Sequence, residues 1–227
     1  MSTDFSLSPL QTDDTVGLSW RVRQPAPTAP KRMLILLHGV GSNEHNLLDL
    51  ADGVDADTLV VLPRGRLTLG PQQYAWFRVM FTAAGPNIVP EEAEHSRLAL
   101  IRLVAHLQAR HGVSARDTVI AGFSQGGILS ASVALSAPES VAGFGLLAGR
   151  ILPELAPMLA SPERLQGLQG FIGHGLYDSK LPIQWAHRAE QLLTELGVAH
   201  TVRHYPIDHG ISADMHADFV AWWRALA

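Results

Sequence analysis

The chain has 227 residues, a length at which one core can bury roughly 70% of the surface an unfolded chain exposes. Hydrophobic residues make up 47% and charged residues 17%, which excludes a disordered chain. A net charge of −4 with no basic stripe argues against a nucleic-acid partner, and zero cysteines exclude disulfide scaffolds, thiolate metal sites and a cysteine nucleophile.

In chain order, the first residues (MSTDFSLSPLQTDD) have neither a basic start nor an apolar stretch, so no signal peptide is expected, and no run reaches the ~18 apolar residues of a membrane span. Residues 15–23 alternate as a half-buried edge strand. Residues 32–37 (RMLILL) form a continuous apolar run suited to a strand covered on both faces. Ser42 or Asn43 is expected to cap a helix over NEHNLLDLAD, and residues 58–62 form a strand that Pro63 stops. Residues 90–111 read as a long helix, with Pro90 in its first turn, three glutamates near its positive end and a buried stripe through Leu98, Ile101 and Ala105 flanked by Val104 and Gln108. A strand over 117–121 and a helix over 125–136 follow. Strands are expected at 142–147 and 169–173, a helix at 183–196 ended by Gly197, a strand at 200–205 and a last helix at 212–226. Two stretches, 63–89 and 148–168, lack periodicity and are candidate walls of a functional site. Alternating strands and helices over the whole length predict one α/β domain spanning residues 1–227 with a mostly parallel sheet.

The strongest chemical signal is Gly122-Phe123-Ser124-Gln125-Gly126, a GxSxG pentapeptide. It directly follows a predicted strand and directly precedes a predicted helix, the strand–elbow–helix setting in which a serine is presented on a sharp turn. Glycines remove the Cβ atoms that would clash there, and the helix start turns N–H groups toward developing negative charge. A serine hydroxyl needs a base, and in this arrangement an acid and then a histidine come later in the chain. Asp178 stands in a loop after the 169–173 strand, and His209 lies between the last strand and the last helix, so both fall at the strand C-termini where ligands gather. Asp208 competes for the acid role, and Asp178 is preferred because adjacent side chains on an extended turn point apart. His200 and His204 share a strand face without a third ligand at metal-site spacing, so no metal is expected. After the first buried strand, Leu37-His38-Gly39-Val40-Gly41 nominates the backbone N–H of Val40, together with that of Gln125, as an oxyanion hole; alone it reads equally as a glycine-rich turn.

LLHGVGSNEHNLLDLA, GFSQGG, HGLYDSKLP and YPIDHGIS stand in the order and spacing of the phospholipase/carboxylesterase family, the α/β-hydrolase group that also contains acyl-protein thioesterases; the resemblance covers roughly residues 30–226. It implies a seven- or eight-stranded sheet flanked by helices and cofactor-free hydrolysis of carboxylic esters or thioesters. It also implies Ser124 as nucleophile, Asp178 as acid, His209 as base, and Val40 and Gln125 as oxyanion donors. Acyl-protein thioesterases usually carry HGLGD where this chain has HGVGS.

The function expected is that of a serine esterase cleaving short to medium acyl esters, lysophospholipids or thioesters through an acyl-enzyme. The alternatives are a catalytically silent hydrolase-fold binding module and a serine peptidase on the same three residues. A small-molecule ester is the expected partner, with no nucleic acid, no integral membrane association, a cytoplasmic location and a homodimer allowed. Within 63–89, Tyr74, Trp76, Phe77, Met80 and Phe81 offer apolar wall area, and Trp76 and Phe77 are the expected substrate-binding side chains.

Overall fold

The computed structural model describes residues 5–82 and 85–226. Its strands are β1 (Ser6–Leu7), β2 (Gln11–Asp13), β3 (Leu18–Gln24), β4 (Arg32–Leu37), β5 (Thr58–Arg64), β6 (Leu67–Gly70), β7 (Gln73–Ala75), β8 (Val79–Thr82), β9 (Gly85–Ile88), β10 (Thr118–Phe123), β11 (Gly143–Leu147), β12 (Gln169–Gly175) and β13 (Ala199–Tyr205). The helices are α1 (Pro90–His111), α2 (Gln125–Ser136), α3 (Gln184–Glu195) and α4 (Ala213–Ala225). Eight strands lie side by side in the order β1-β3-β5-β4-β10-β11-β12-β13, and β2 pairs along the same strand, β3, as β1. The six strands from β5 to β13 in that order are parallel; β3 runs against β5. This is the mostly parallel sheet that the alternating pattern predicts, with the eight side-by-side strands that the resemblance to α/β-hydrolases implies.

Strand alternation sorts the core into two layers. Met33, Ile35 and Leu37 of β4 join the layer built with α1, α2 and α3, whereas Leu34 and Leu36 join the one built with α4 and the turn Leu48–Ala51. Both faces are covered, which is why the central strands read as continuous apolar runs. After β4 the chain builds outward through β5, then returns to place β10 on the other side of β4. The β4–β10 boundary is therefore the switch point of the sheet, where loops leave in opposite directions and open a crevice.

Three expectations are corrected. Residues 43–52 form turns and one 3-10 turn (Leu48–Ala51) rather than a helix. The cause is long-range: Glu44 turns inward, 1% exposed, where its carboxylate meets Arg21 Nε at 2.8 Å and Arg64 Nε at 2.9 Å. Asn43 meanwhile spends its side chain on the His45 N–H and the Gln72 carbonyl. Pro63 does not stop β5, which pairs with β3 as far as Arg64; β4 has already left β5 after Ile35–Val61, so the missing N–H disturbs no second ladder. On α1 the buried face runs through Ala93, Ala99, Leu100, Leu103, Val104 and Leu107, and Leu98 is 39% exposed. The helix presents the side that meets α2 and β3.

Burial, the largest single influence on Glu44, pushes its carboxyl upward, but hydrogen bonds from Arg64 and Arg21 more than reverse this and hold it at about 2. A folded-state pKa below the unfolded value of 4.5 means stabilisation that is complete above pH 4.5 and is lost as the pH falls toward 2. Glu44→Gln strands two partly buried guanidiniums and is expected to cost about 3 kcal/mol at pH 7. Urea midpoints at pH 7 and pH 3 check this: the gap between wild type and variant should shrink at the lower pH.

Candidate active site

Ser124 sits between β10 and α2 with φ 53° and ψ −116°, a left-handed backbone that costs a residue with a side chain on the order of 1–3 kcal/mol. The surroundings hold it there. Its N–H donates to the Leu147 carbonyl at 2.8 Å, and its own carbonyl accepts from the Ile128 N–H at 3.0 Å, starting the helix. The flanking glycines allow the turn to close: a Cβ on Gly122 would lie 2.6 Å from the Leu37 carbonyl oxygen, and one on Gly126 only 1.9 Å from that same atom.

Two loops, after β12 and β13, meet the serine along the same rim of the sheet. His209 Nε2 lies 3.0 Å from Ser124 Oγ, and His209 Nδ1 lies 2.8 Å from Asp178 Oδ2. The other Asp178 oxygen accepts the N–H groups of Leu181 (2.8 Å) and Lys180 (2.9 Å). Burial is the strongest influence on the Asp178 carboxyl and pushes it up. The His209 contact and the two backbone donors outweigh this and hold it below the usual carboxylate range, so it is anionic at neutral pH. The imidazole also packs at a tilt against Phe123, with ring centroids 4.9 Å apart. The arrangement can move a proton from a hydroxyl to an imidazole whose tautomer a carboxylate fixes, as acyl transfer at a carbonyl requires.

Asp208, the rival acid, has a different job. Its Oδ1 accepts the N–H groups of Ser179 and His209, each at 2.7 Å, so it ties the Asp178 loop to the His209 loop. These loops can touch because Gly175 carries no side chain: a Cβ there would stand 2.5 Å from the Ile207 carbonyl oxygen.

On the opposite side, the loop after β4 runs against the serine. Gly39 lies beside Phe123 and Ser124, where a Cβ would already be 3.5 Å from the Ser124 Cβ. Neither the Val40 N–H nor the Gln125 N–H has a partner among the described residues, and Gln125, as the first residue of α2, has no intrahelical acceptor. Two donors at the crevice are what an oxyanion hole needs.

The surrounding scaffold uses residues whose roles sequence reasoning missed. The Gln125 side chain accepts from the Trp76 N–H (2.7 Å) and donates to the Phe77 carbonyl (2.6 Å), clasping the excursion between β5 and α1 onto the elbow. His38 accepts the Gly65 N–H at Nε2 (2.9 Å), which leaves Nδ1–H to donate to Gly39 (2.7 Å). Burial pushes its pKa down, consistent with a neutral ring. His174, fully buried, donates Nε2–H to the Leu181 carbonyl (2.7 Å) beneath Asp178. A histidine or glutamine beside a motif gives no sequence sign that its side chain serves the backbone.

The unassigned stretch 63–89 folds as two small hairpins, β6–β7 and β8–β9. Phe77 lines a cavity at Ser124 with Val40, Ile88, Ile128, Leu181 and Arg150. Trp76 does not. It is 1% exposed, its indole N–H donates to the His38 carbonyl at 2.9 Å, and it lies behind the wall rather than on it. The side chain of Phe81 falls outside the described residues. His200 bonds the Val198 carbonyl, and His204 packs on His187.

The model of a family described as Phospholipase/Carboxylesterase matches residues 21–222. Acyl-protein thioesterase 1 of Kluyveromyces lactis is 28% identical over 183 residues, covering 75% of this chain and 79% of that protein. Among solved structures, esterase PE8 superposes with a TM-score of 0.80 at 25% identity, covering 92% of this chain and 99% of the other. A carboxylesterase from Mesorhizobium loti superposes with a TM-score of 0.80 at 23% identity, over 96% and 98% of the two chains.

Trp76→Phe keeps most of the buried volume and removes only the donor to His38. It is expected to lower the melting temperature by several degrees, at about 1–2 kcal/mol, and to leave the kcat/KM ratio between short and longer acyl esters unchanged. Differential scanning calorimetry and an ester series measure the two effects.

Proposed function

The chain belongs to the phospholipase/carboxylesterase family of α/β-hydrolases, and from that premise we propose that it hydrolyses short acyl esters through an acyl-enzyme formed on Ser124. The observation that carries this reading is the continuous chain from Ser124 Oγ to His209 Nε2 (3.0 Å) and from His209 Nδ1 to Asp178 (2.8 Å). In the proposed mechanism His209 takes the hydroxyl proton as Oγ adds to the acyl carbonyl. The Val40 and Gln125 N–H groups receive the oxyanion, and the proton passes from His209 to the leaving alcohol or thiol. Water then enters, His209 deprotonates it, and the second tetrahedral species collapses to the acid and free Ser124. Asp178 stays ionised, holding the Nδ1–H tautomer and offsetting the transient imidazolium.

The enclosed part of the crevice at Ser124 is small, about 20 Å³, and its lining is mainly apolar, which favours short acyl groups. Larger apolar hollows, such as the one between α3 and Leu152–Leu159, do not include the serine. Thioesters belong among the candidate substrates because the Kluyveromyces lactis relative is named as an acyl-protein thioesterase. Among the described residues no helix is long and apolar enough to cross a membrane.

Ser124→Ala should lower kcat by about 10⁴ with the fold intact. Asp178→Asn should cost up to ~10⁴ by favouring the wrong imidazole tautomer. Asp208→Asn should cost far less, because it loosens a loop tie and leaves the carboxylate at His209 in place. Steady-state turnover of an acetyl-to-octanoyl ester series, with one thioester, measures all three. Wild-type-like turnover by Ser124→Ala, or a reversed ranking of the two aspartates, would contradict the assignment.

A further inference from the structure

Arg150 is 5% exposed and lines the cavity beside Ser124. A buried cation is normally paired. Among the described residues no carboxylate stands within ion-pair distance of this one; the exposed Glu154 acts on it only through space. Its partners are weak: one hydrogen bond to the Pro86 carbonyl at 3.4 Å, and the face of Trp185, 4.7 Å from the guanidinium carbon. Among the described residues its Nε–H has no acceptor. Trp185 carries a second guanidinium, that of Arg188, at the same distance, so the ring offers little neutralisation.

The backbone that delivers Arg150 is itself constrained. Ala148 sits at φ 48°, a left-handed conformation unfavourable for alanine. Gly149 follows, pressed so closely on the elbow that a Cβ would lie 3.2 Å from the Ser124 carbonyl oxygen. A left-handed alanine and a closely packed glycine thus turn the chain from the end of β11 toward the crevice and bring a buried, under-satisfied guanidinium to an otherwise mainly apolar cavity.

We infer that Arg150 recognises an anionic substrate: an ester or thioester whose carboxylate pairs with the guanidinium while its scissile carbonyl lies at Ser124. This rests on the proposed role of Ser124. A planar guanidinium matches a carboxylate through two parallel hydrogen bonds, and Nε–H with one terminal N–H is one such fork. Because both groups line one small cavity, carboxylate and scissile carbonyl are separated by only a few bonds. A half-ester of a short dicarboxylic acid places the charge on the acyl side; an acylated hydroxy acid places it on the alkoxy side.

The test compares each anion with its uncharged amide isostere. Ethyl hydrogen succinate against ethyl succinamate reports on the acyl side, and acetoxyacetate against acetoxyacetamide on the alkoxy side. Wild type should favour the anion by at least about tenfold in kcat/KM in one of the two pairs. In Arg150→Met the ratio of kcat/KM between anion and amide should fall to about one, whatever the absolute turnover; Arg150→Lys should retain part of the preference. The wild-type preference needs no variant, so it decides the matter even if Arg150→Met fails to fold. Equal turnover of anion and amide in both pairs by wild type would overturn the inference and leave the ester reading of Ser124 standing. If no ester is turned over, that reading falls and carboxylate binding decides: butyrate, but not butyramide, should raise the melting temperature of wild type, and absence of that shift would overturn the role of Arg150.

Discussion

Gly126 lies so close to the carbonyl of Leu37 that any side chain would overlap it. This contact seats the first turn of α2 directly on the end of β4, and the geometry of the site depends on it. With α2 seated there, β10 must reverse within one residue, and Ser124 accepts a backbone that few residues adopt without cost. The same contact brings the loop after β4 against the serine, so one steric constraint puts the hydroxyl and two N–H groups, unpartnered among the described residues, around one crevice. Steric closeness, rather than a strong bond, fixes the geometry, and it does so on rigid elements.

A second set of interactions holds the loops that the sheet alone would leave free. Asp208 ties the two loops carrying Asp178 and His209, and Gly175 lets them meet. Gln125 and His38 do the corresponding work on the opposite side, each using a side chain to satisfy backbone groups of the excursion between β5 and α1. Buried backbone polar groups in irregular segments need such partners, since no ladder supplies them. Positioning in this site is therefore distributed: side chains outside the Ser124–His209–Asp178 chain hold the loops that keep those three groups within hydrogen-bond distance of one another.

Much of this was legible in the sequence because it depends on local pattern. The apolar run of β4 and the small-residue helix α2 fall at their expected boundaries, and the motif context brought Ser124, Asp178 and His209 to one rim. What was not legible depends on distant partners. Residues 43–52 have a helical pattern, but the pull of Arg21 and Arg64 on Glu44 competes with it and wins. The stripe on α1 was misplaced because helical periodicity offers more than one apolar arc, and only the neighbouring α2 and β3 select among them. Trp76 and Phe77 are adjacent and chemically alike, so nothing in the sequence says which faces the cavity and which the core. Arg150 carries no motif at all; composition places an arginine in solvent, and only the turn through Ala148 and Gly149 brings it inside.

The proposed chemistry makes Ser124 the covalent centre. The most direct test is to treat the protein with a fluorophosphonate, measure the intact mass, and map the modified peptide. A single adduct per chain is expected, on the peptide that contains Ser124, accompanied by complete loss of ester turnover. An adduct on a different serine that abolishes activity, or full activity in protein whose Ser124 is labelled, would contradict it.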